Sequence, residues 1–82
     1  MTAADRLHPV VVEARFDNEG QVTPQRFTWQ GREYRVDSPG RRWRDESGMH
    51  ILIMIPGEQV YELIFAPDET RWYLKVPGRD WV

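Results

Sequence analysis

Residues 27–36 read FTWQGREYRV and contain the clearest structural signal of the chain. Two runs of alternating side chains flank a central glutamine–glycine pair, and glycine readily adopts the positive φ that a two-residue hairpin turn needs. The pattern predicts a β-hairpin in which Trp29 faces Arg32 and Phe27 faces Tyr34, with a possible stack of the first pair. One face of this hairpin is aromatic and apolar, so it should pack on a core.

A second hairpin is predicted over residues 61–76, which read YELIFAPDETRWYLKV. Apolar and polar side chains alternate on both sides of the polar turn PDET, the pattern of two half-buried strands. A four-residue loop places Phe65 opposite Trp72 and Leu63 opposite Leu74. This hairpin also has one apolar face.

The rest of the chain reads as further strands joined by turns. Residues 9–16 alternate like a half-buried strand, and residues 49–55 form an apolar run that suits a central strand covered on both faces or one strand of a closed small barrel. Residues 41–48 are charged and irregular. We expect an all-β domain, a meander of five to six antiparallel strands in a curled sheet or SH3-like barrel with little helix. A β-sheet packed on one short helical turn is the alternative.

Composition sets the limits of this domain. The chain has 82 residues, a net charge of −2 and no cysteine, so we expect one small domain without disulfides or a thiolate zinc site. We expect residues 1–8 to be flexible and residues 77–82 to form a tail. No signal-peptide pattern or long apolar run is present, which favours a cytoplasmic protein that does not enter a membrane.

Charge is unevenly distributed along the sequence. Residues 26–44 contain six arginines and two acidic residues, whereas residues 45–70 contain six acidic residues and no basic one. Ion pairing between the two segments across the sheet is the first interpretation. A dedicated basic face for nucleic acid is the second, although the acidic isoelectric point argues against it.

The sequence offers little catalytic chemistry. No serine, threonine or histidine stands in a recognisable triad context, and the glycines occur singly at turns rather than in phosphate-binding loops. We interpret His50 as a partly buried structural residue, and Asp45 and Glu46 as members of a solvated loop. The sequence therefore predicts a protein that is not an enzyme and has no cofactor and no metal site.

Basic and aromatic residues combine in the segment GRRWRDE, residues 40–46. Arginines there could hold a phosphate backbone while Trp43 stacks on a base, or Trp43 could instead plug the end of the barrel. Trp81 either docks on the core or joins a surface for a partner. The candidate partner-binding residues are Arg41, Arg42, Trp43, Arg44, Arg32, Arg35 and Trp81.

A wider pattern consists of FTWQGREYRV, the lone tryptophan of RRWRDE, and VYELIFAPDETRWYLKV. Over residues 24–76 this pattern resembles a family of uncharacterised short bacterial β domains, a domain of unknown function found beside or within mutasome Y-family polymerase-like proteins. The resemblance implies an accessory role in DNA-damage tolerance. It carries over no catalytic residue.

Three functions follow as expectations. The first is a small non-enzymatic module that binds a protein partner, favoured by the aromatic surplus and by the exposed edges of a short sheet. The second is a single-stranded nucleic-acid binder that uses residues 41–44. The third is an enzyme, which would need a pocket with a perturbed acid or base. The oligomeric state is left open.

Overall fold

Antiparallel strands make up the regular structure of the described part of this chain. The computed structural model describes residues 6–76, and this range contains seven strands and no helix. The strands are β1 (Arg6–Phe16), β2 (Val22–Trp29), β3 (Arg32–Arg35), β4 (Ser38–Asp45), β5 (Gly48–Ile55), β6 (Gln59–Ala66) and β7 (Arg71–Val76). The described residues contain no helix that could span a membrane.

The central hairpin forms in the predicted register. Trp29 pairs with Arg32 and Phe27 with Tyr34, around a turn in which Gln30 and Gly31 both have positive φ, 54° and 76°. The Phe27 and Tyr34 rings stack with their centroids 5.0 Å apart. The ring of Trp29 instead contacts the rings of Tyr34 and Tyr61, with centroids 6.4 Å away in both cases. No stacking of Trp29 on Arg32 is seen in the described part of the chain.

The second hairpin, β6 and β7, is also confirmed. Phe65 pairs with Trp72 and Leu63 with Leu74, as the four-residue loop requires. Leu63 and Leu74 are fully buried, and burial of such a side chain stabilises the fold by about 1.5 to 3 kcal/mol. The two hairpins thus supply opposite walls of one core.

Strand order shows how the two hairpins combine. The sheet runs β3-β2-β1-β7-β6-β5-β4, so each strand pairs with its neighbour in sequence, and β1 also pairs with β7. Only the consecutive strands β3 and β4 remain unpaired with each other. The fold is therefore a curled meander, a half-barrel that stays open between β3 and β4.

The concave side of the sheet holds the core. Its largest fully buried side chains come from four different strands, which shows that the curl encloses one continuous interior. They are Phe27, Ile51, Ile53, Leu63 and Leu74, with Pro24. On β5 the isoleucines face this core, while the convex side is covered less completely.

Three expectations need correction. The described range has seven strands rather than five or six, because the segment interpreted as irregular forms most of strand β4. The flexible segment predicted through residue 8 is too long, since β1 begins at Arg6 and pairs Leu7 with Lys75 and His8 with Leu74. The alternative with a helical turn packed on the sheet is wrong for residues 6–76.

Arg42 bridges the open side of the half-barrel. Its Nη1 donates to the carbonyl oxygen of Val22 at 2.5 Å, and its Nη2 donates to Thr23 Oγ1 at 3.2 Å, so β4 is tied to β2. The bond from Asp37 N to the Met54 carbonyl, at 2.7 Å, extends the pairing of β4 with β5 and does not cross the opening. The Arg42 contacts thus hold the curl where no strand pairing exists.

Replacing Arg42 with alanine should therefore destabilise the fold by roughly 1.5 to 3 kcal/mol, the usual range for a lost hydrogen bond to a charged group. Urea unfolding followed by tryptophan fluorescence measures the loss. The matched control is Arg44→Ala on the same strand, where the side chain is exposed and we expect a change of less than about 0.5 kcal/mol. Equal effects of the two changes would contradict the bridging role.

Candidate functional site

A row of side chains crosses the convex face of the sheet. Strand register pairs Trp43 with His50, His50 with Ile64, and Ile64 with Tyr73, so residues of β4, β5, β6 and β7 stand side by side. Directly paired residues of antiparallel strands point to the same face. Although this face is the outer one, His50 and Ile64 are only 5% and 3% exposed.

His50 lies at the centre of this row and has polar partners on both ring nitrogens. Its Nδ1 is 2.5 Å from Oε2 of Glu62, and its Nε2 is 2.9 Å from Oδ1 of Asp45 and 3.0 Å from Oγ of Ser47. Trp43 covers one side of the imidazole, with ring centroids 5.0 Å apart and planes 14° from parallel. We call Asp45, Ser47, His50 and Glu62 the His50 cluster.

Two carboxylates around one imidazole favour its protonated form. Burial on its own would lower the pKa of His50, but the hydrogen bonds to Glu62 and Asp45 and their negative charges outweigh it and raise the pKa above 6.5. An imidazolium donates from both nitrogens, so the arrangement fits a cation held between two anions. A further charge next to Glu62 is Lys75 of β7, whose Nζ lies 4.0 Å from Oε1 of Glu62.

The turn between β4 and β5 is organised by Asp45. Its Oδ1 accepts hydrogen bonds from the Ser47 backbone N at 2.8 Å and from the Ser47 hydroxyl at 2.7 Å. Such local bonds from an aspartate to the backbone two residues later are typical of tight turns. The bonds from Ser47, and then the bond from His50, lower the pKa of the Asp45 carboxyl.

The contacts among Ser47, His50 and Glu62 have the order of a nucleophile, a base and an acid. Nucleophilic catalysis needs a neutral imidazole that can take the serine proton. Here the second carboxylate, Asp45, accepts from both the Ser47 hydroxyl and His50 Nε2, which stabilises the imidazolium and leaves it no free nitrogen. The cluster is therefore better suited to hold charge than to activate a nucleophile.

A groove of about 590 Å³ opens next to the His50 cluster. It lies between the β4–β5 turn and the β6–β7 turn, and we call it the turn groove. Apolar side chains of β1, β6 and β7 contribute to its lining, and carboxylates stand on both turns. The lining used below consists of Leu7, Ile64 and Tyr73 with Asp45, Glu46, Asp68 and Glu69.

The structure separates the candidate residues of β4. Arg42 pairs with Ile51 on the core side, whereas Trp43 pairs with His50 on the convex side. The Arg41 guanidinium lies 5.8 Å from the centre of the Trp43 ring. Trp43 is thus partly buried on the outside of the sheet, and the interpretation of it as a barrel plug is wrong. Arg44 lines the turn groove.

The remaining candidates lie elsewhere. Arg32 and Arg35 are exposed on β3, the other free edge of the sheet, and Trp81 lies outside the described residues. Among residues 6–76, no ion pair joins an arginine of segment 26–44 to an acidic residue of segment 45–70. Arg26 instead pairs with Glu13 at 3.3 Å and with Glu33 at 3.4 Å. The expected pairing between the two charged segments is therefore not observed there.

Sequence analysis missed the His50 cluster. Asp45, Ser47 and His50 are close in sequence, and the run Asp-Glu-Ser-Gly over residues 45–48 is a turn signal that could have been used. Glu62 joins them only through the β5–β6 register, in which Leu52 pairs with Glu62 and places its carboxylate diagonal to His50. That register follows from the short turn after residue 55.

Comparisons with known proteins identify no relative of this chain. No group of three metal-ligating side chains is arranged to hold a metal ion in residues 6–76. Searches against protein-family models, curated proteins and solved structures find no match to the chain. The resemblance over residues 24–76 thus stays a prediction.

Proposed function

We propose that this chain is a small non-enzymatic protein-interaction module that binds its partner in the turn groove. The observation that carries the proposal is an open groove lined by apolar side chains, with Leu7 52% exposed beside it. Apolar surface next to charged rims is typical of protein-binding sites. The groove also lies on hydrogen-bonded strands, since β7 pairs with both β1 and β6 beneath it.

The His50 cluster supports a binding role over catalysis. An imidazolium between Glu62 and Asp45 is a poor general base, because both ring nitrogens already donate hydrogen bonds. The same contacts fix the β4–β5 turn against β6, which preorganises one wall of the groove. Preorganisation of this kind lowers the entropy lost on binding.

The arrangement of β4 supports a protein partner over nucleic acid. Single-strand binders combine free aromatic faces with a continuous basic track. Here Trp43 is already stacked on His50, and Arg42 points to the core side and bonds to Val22. The arginines of this strand therefore do not form one surface.

The free sheet edges are less suited to docking than the groove. Strand β3 has four residues, and β4 contains Pro39 and a bulge between Pro39 and Arg42. Short edge strands, proline and bulges all hinder the addition of a further strand. For the cellular context, we propose DNA-damage tolerance, on the strength of the resemblance over residues 24–76 alone.

Site-specific photo-crosslinking tests the proposal. A photoreactive amino acid in place of Leu7 reports on the groove, and the same amino acid in place of Val60 is the control. Both side chains are 52% exposed, and Val60 does not line the groove. In cells of the organism that encodes the chain, we expect one protein to crosslink from position 7 and not from position 60.

Two results would overturn the proposal. The first is crosslinking of the same proteins from both positions, which indicates general stickiness. The second is crosslinking mainly to nucleic acid, which would favour the binder of single strands.

A further inference from the structure

The walls of the turn groove carry an excess of negative charge. Four carboxylates line it, two at each turn, against one arginine. Asp45 ends β4 and Glu46 follows it in the turn to β5, whereas Asp68 and Glu69 belong to the turn between β6 and β7. The acidic side chains therefore face a ligand from both sides.

Two of these carboxylates already have partners within the fold. Asp45 accepts from Ser47 and His50, as described above. Glu69 Oε1 accepts a hydrogen bond from the Tyr73 hydroxyl at 2.5 Å, and this bond raises the pKa of Tyr73. The Tyr73 hydroxyl thus keeps Glu69 in place.

The other two carboxylates are uncommitted. Within residues 6–76, neither Glu46 nor Asp68 takes part in an ion pair or a side-chain hydrogen bond, and both are exposed. They stand on opposite turns, so the pair brackets the apolar lining between them. Strand pairing does not need either charge, and like charges around a groove repel each other.

We infer that the turn groove takes a short protein segment that combines apolar side chains with lysine or arginine. This inference rests on the proposed function and adds the chemistry of the partner. Apolar side chains of the segment would cover Leu7 and the half-buried ring of Tyr73, while its cations would lie near Glu46 and Asp68. Charge complementarity of this type mainly raises the association rate and selects against acidic partners.

Three short fluorescent peptides test the inference by anisotropy. They share the same leucines and differ in the remaining positions, which are lysine and serine, glutamate and serine, or serine alone. We expect the lysine peptide to bind at least about tenfold more tightly than the others. Its affinity should fall between about 0.1 M and 1 M salt, where the screening length drops from about 10 Å to 3 Å.

A pair of double variants locates the binding site. Glu46→Lys with Asp68→Lys should weaken binding of the lysine peptide at least about tenfold. Glu19→Lys with Glu58→Lys is the matched control, because both residues are exposed in other turns and the change in net charge is identical. We expect the control to bind like the unmodified chain.

Several outcomes overturn the inference. The first is binding of the serine peptide as tight as that of the lysine peptide, and the second is equal weakening by both double variants. The third is salt-sensitive self-association of the chain that only Glu46→Lys with Asp68→Lys removes, because the occupant of the groove is then a second copy. If a protein crosslinks from position 7 but no lysine peptide binds, the partner chemistry is wrong and the proposed function stands. Failure of the crosslinking experiment refutes the proposed function whatever the peptides do.

Discussion

Replacing Gly48 with alanine should destabilise the protein by roughly 3 to 5 kcal/mol. Gly48 has a φ of 139°, a conformation that side chains with a Cβ rarely adopt. A Cβ at this position would also lie 2.0 Å from the carbonyl oxygen of Phe65 and 3.2 Å from Cα of Ala66. Both atoms belong to the backbone of β6, so no side-chain rotation can relieve the clash.

The clash would separate the first residues of β5 from the end of β6. A domain of this size has a total stability of about 4 to 12 kcal/mol, so the loss is a large share of it. Urea unfolding followed by tryptophan fluorescence gives the change in the free energy of unfolding. Loss of the pairing between Met49 and Phe65 should also appear as faster amide hydrogen exchange at the start of β5.

Gly57→Ala is the matched control for this prediction. Gly57 also has a positive φ, 94°, but an added Cβ there meets no atom within 4 Å. It should therefore show the backbone strain alone, about 1 to 2 kcal/mol. If the two alanine variants differ by less than about 1 kcal/mol, the close approach of the two strands is not what makes glycine necessary at position 48.

The correctly predicted parts of the fold are those with local causes. The turn at Gln30 and Gly31 and the four-residue loop after Ala66 each fix the register of the strands that they join. The predicted pairs therefore followed from turn length and alternation. These signals do not depend on the rest of the chain.

Strand β4 and the closure of the sheet have non-local causes. An edge strand containing Pro39, Gly40 and three arginines lacks the apolar alternation that marks a strand. It is extended because β5 pairs with it and because Arg42 reaches Val22 on β2. Neither contact could be read from the segment itself.

The candidate site was predictable only in part. The turn made by Asp45 and Ser47 has a sequence signal, but the position of Glu62 needs the β5–β6 register. The turn groove needs still more, because Leu7 reaches it only through the pairing of β1 with β7. The proposed binding site thus depends on contacts between residues that are far apart in sequence.

Replacing His50 with leucine should destabilise the protein by roughly 2 to 3 kcal/mol at and below neutral pH. Leucine keeps apolar contact with Trp43 but removes both hydrogen bonds. It leaves the Glu62 side chain, which is 15% exposed, without its closest partner. Removal of one member of a buried ion pair is costly because the remaining charge stays desolvated.

The loss should depend on pH in a defined direction. Since the pKa of His50 is raised above 6.5 in the folded state, protonation stabilises the fold, and this contribution is complete below the unfolded-state value. As pH rises through the raised pKa, the contribution disappears. We expect the free energy of unfolding of the unmodified chain to fall over that interval and that of His50→Leu to stay nearly constant.

Two further variants separate His50 from the other groups that titrate. His8→Leu changes the other histidine, whose ring lies 5.5 Å from that of Trp29 on the inner face, and should keep the pH dependence. Glu62→Gln removes the negative charge next to Nδ1 while preserving a hydrogen-bond acceptor, so it should move the midpoint of the pH dependence to lower pH.

NMR titration of the His50 ring protons gives the pKa directly. A midpoint below 6.5, or an unchanged pH dependence in His50→Leu, would show that the two carboxylates do not hold an imidazolium. In the expected case, deprotonation of His50 also frees Asp45 from one of its bonds, so peptide binding in the turn groove should change over the same pH interval.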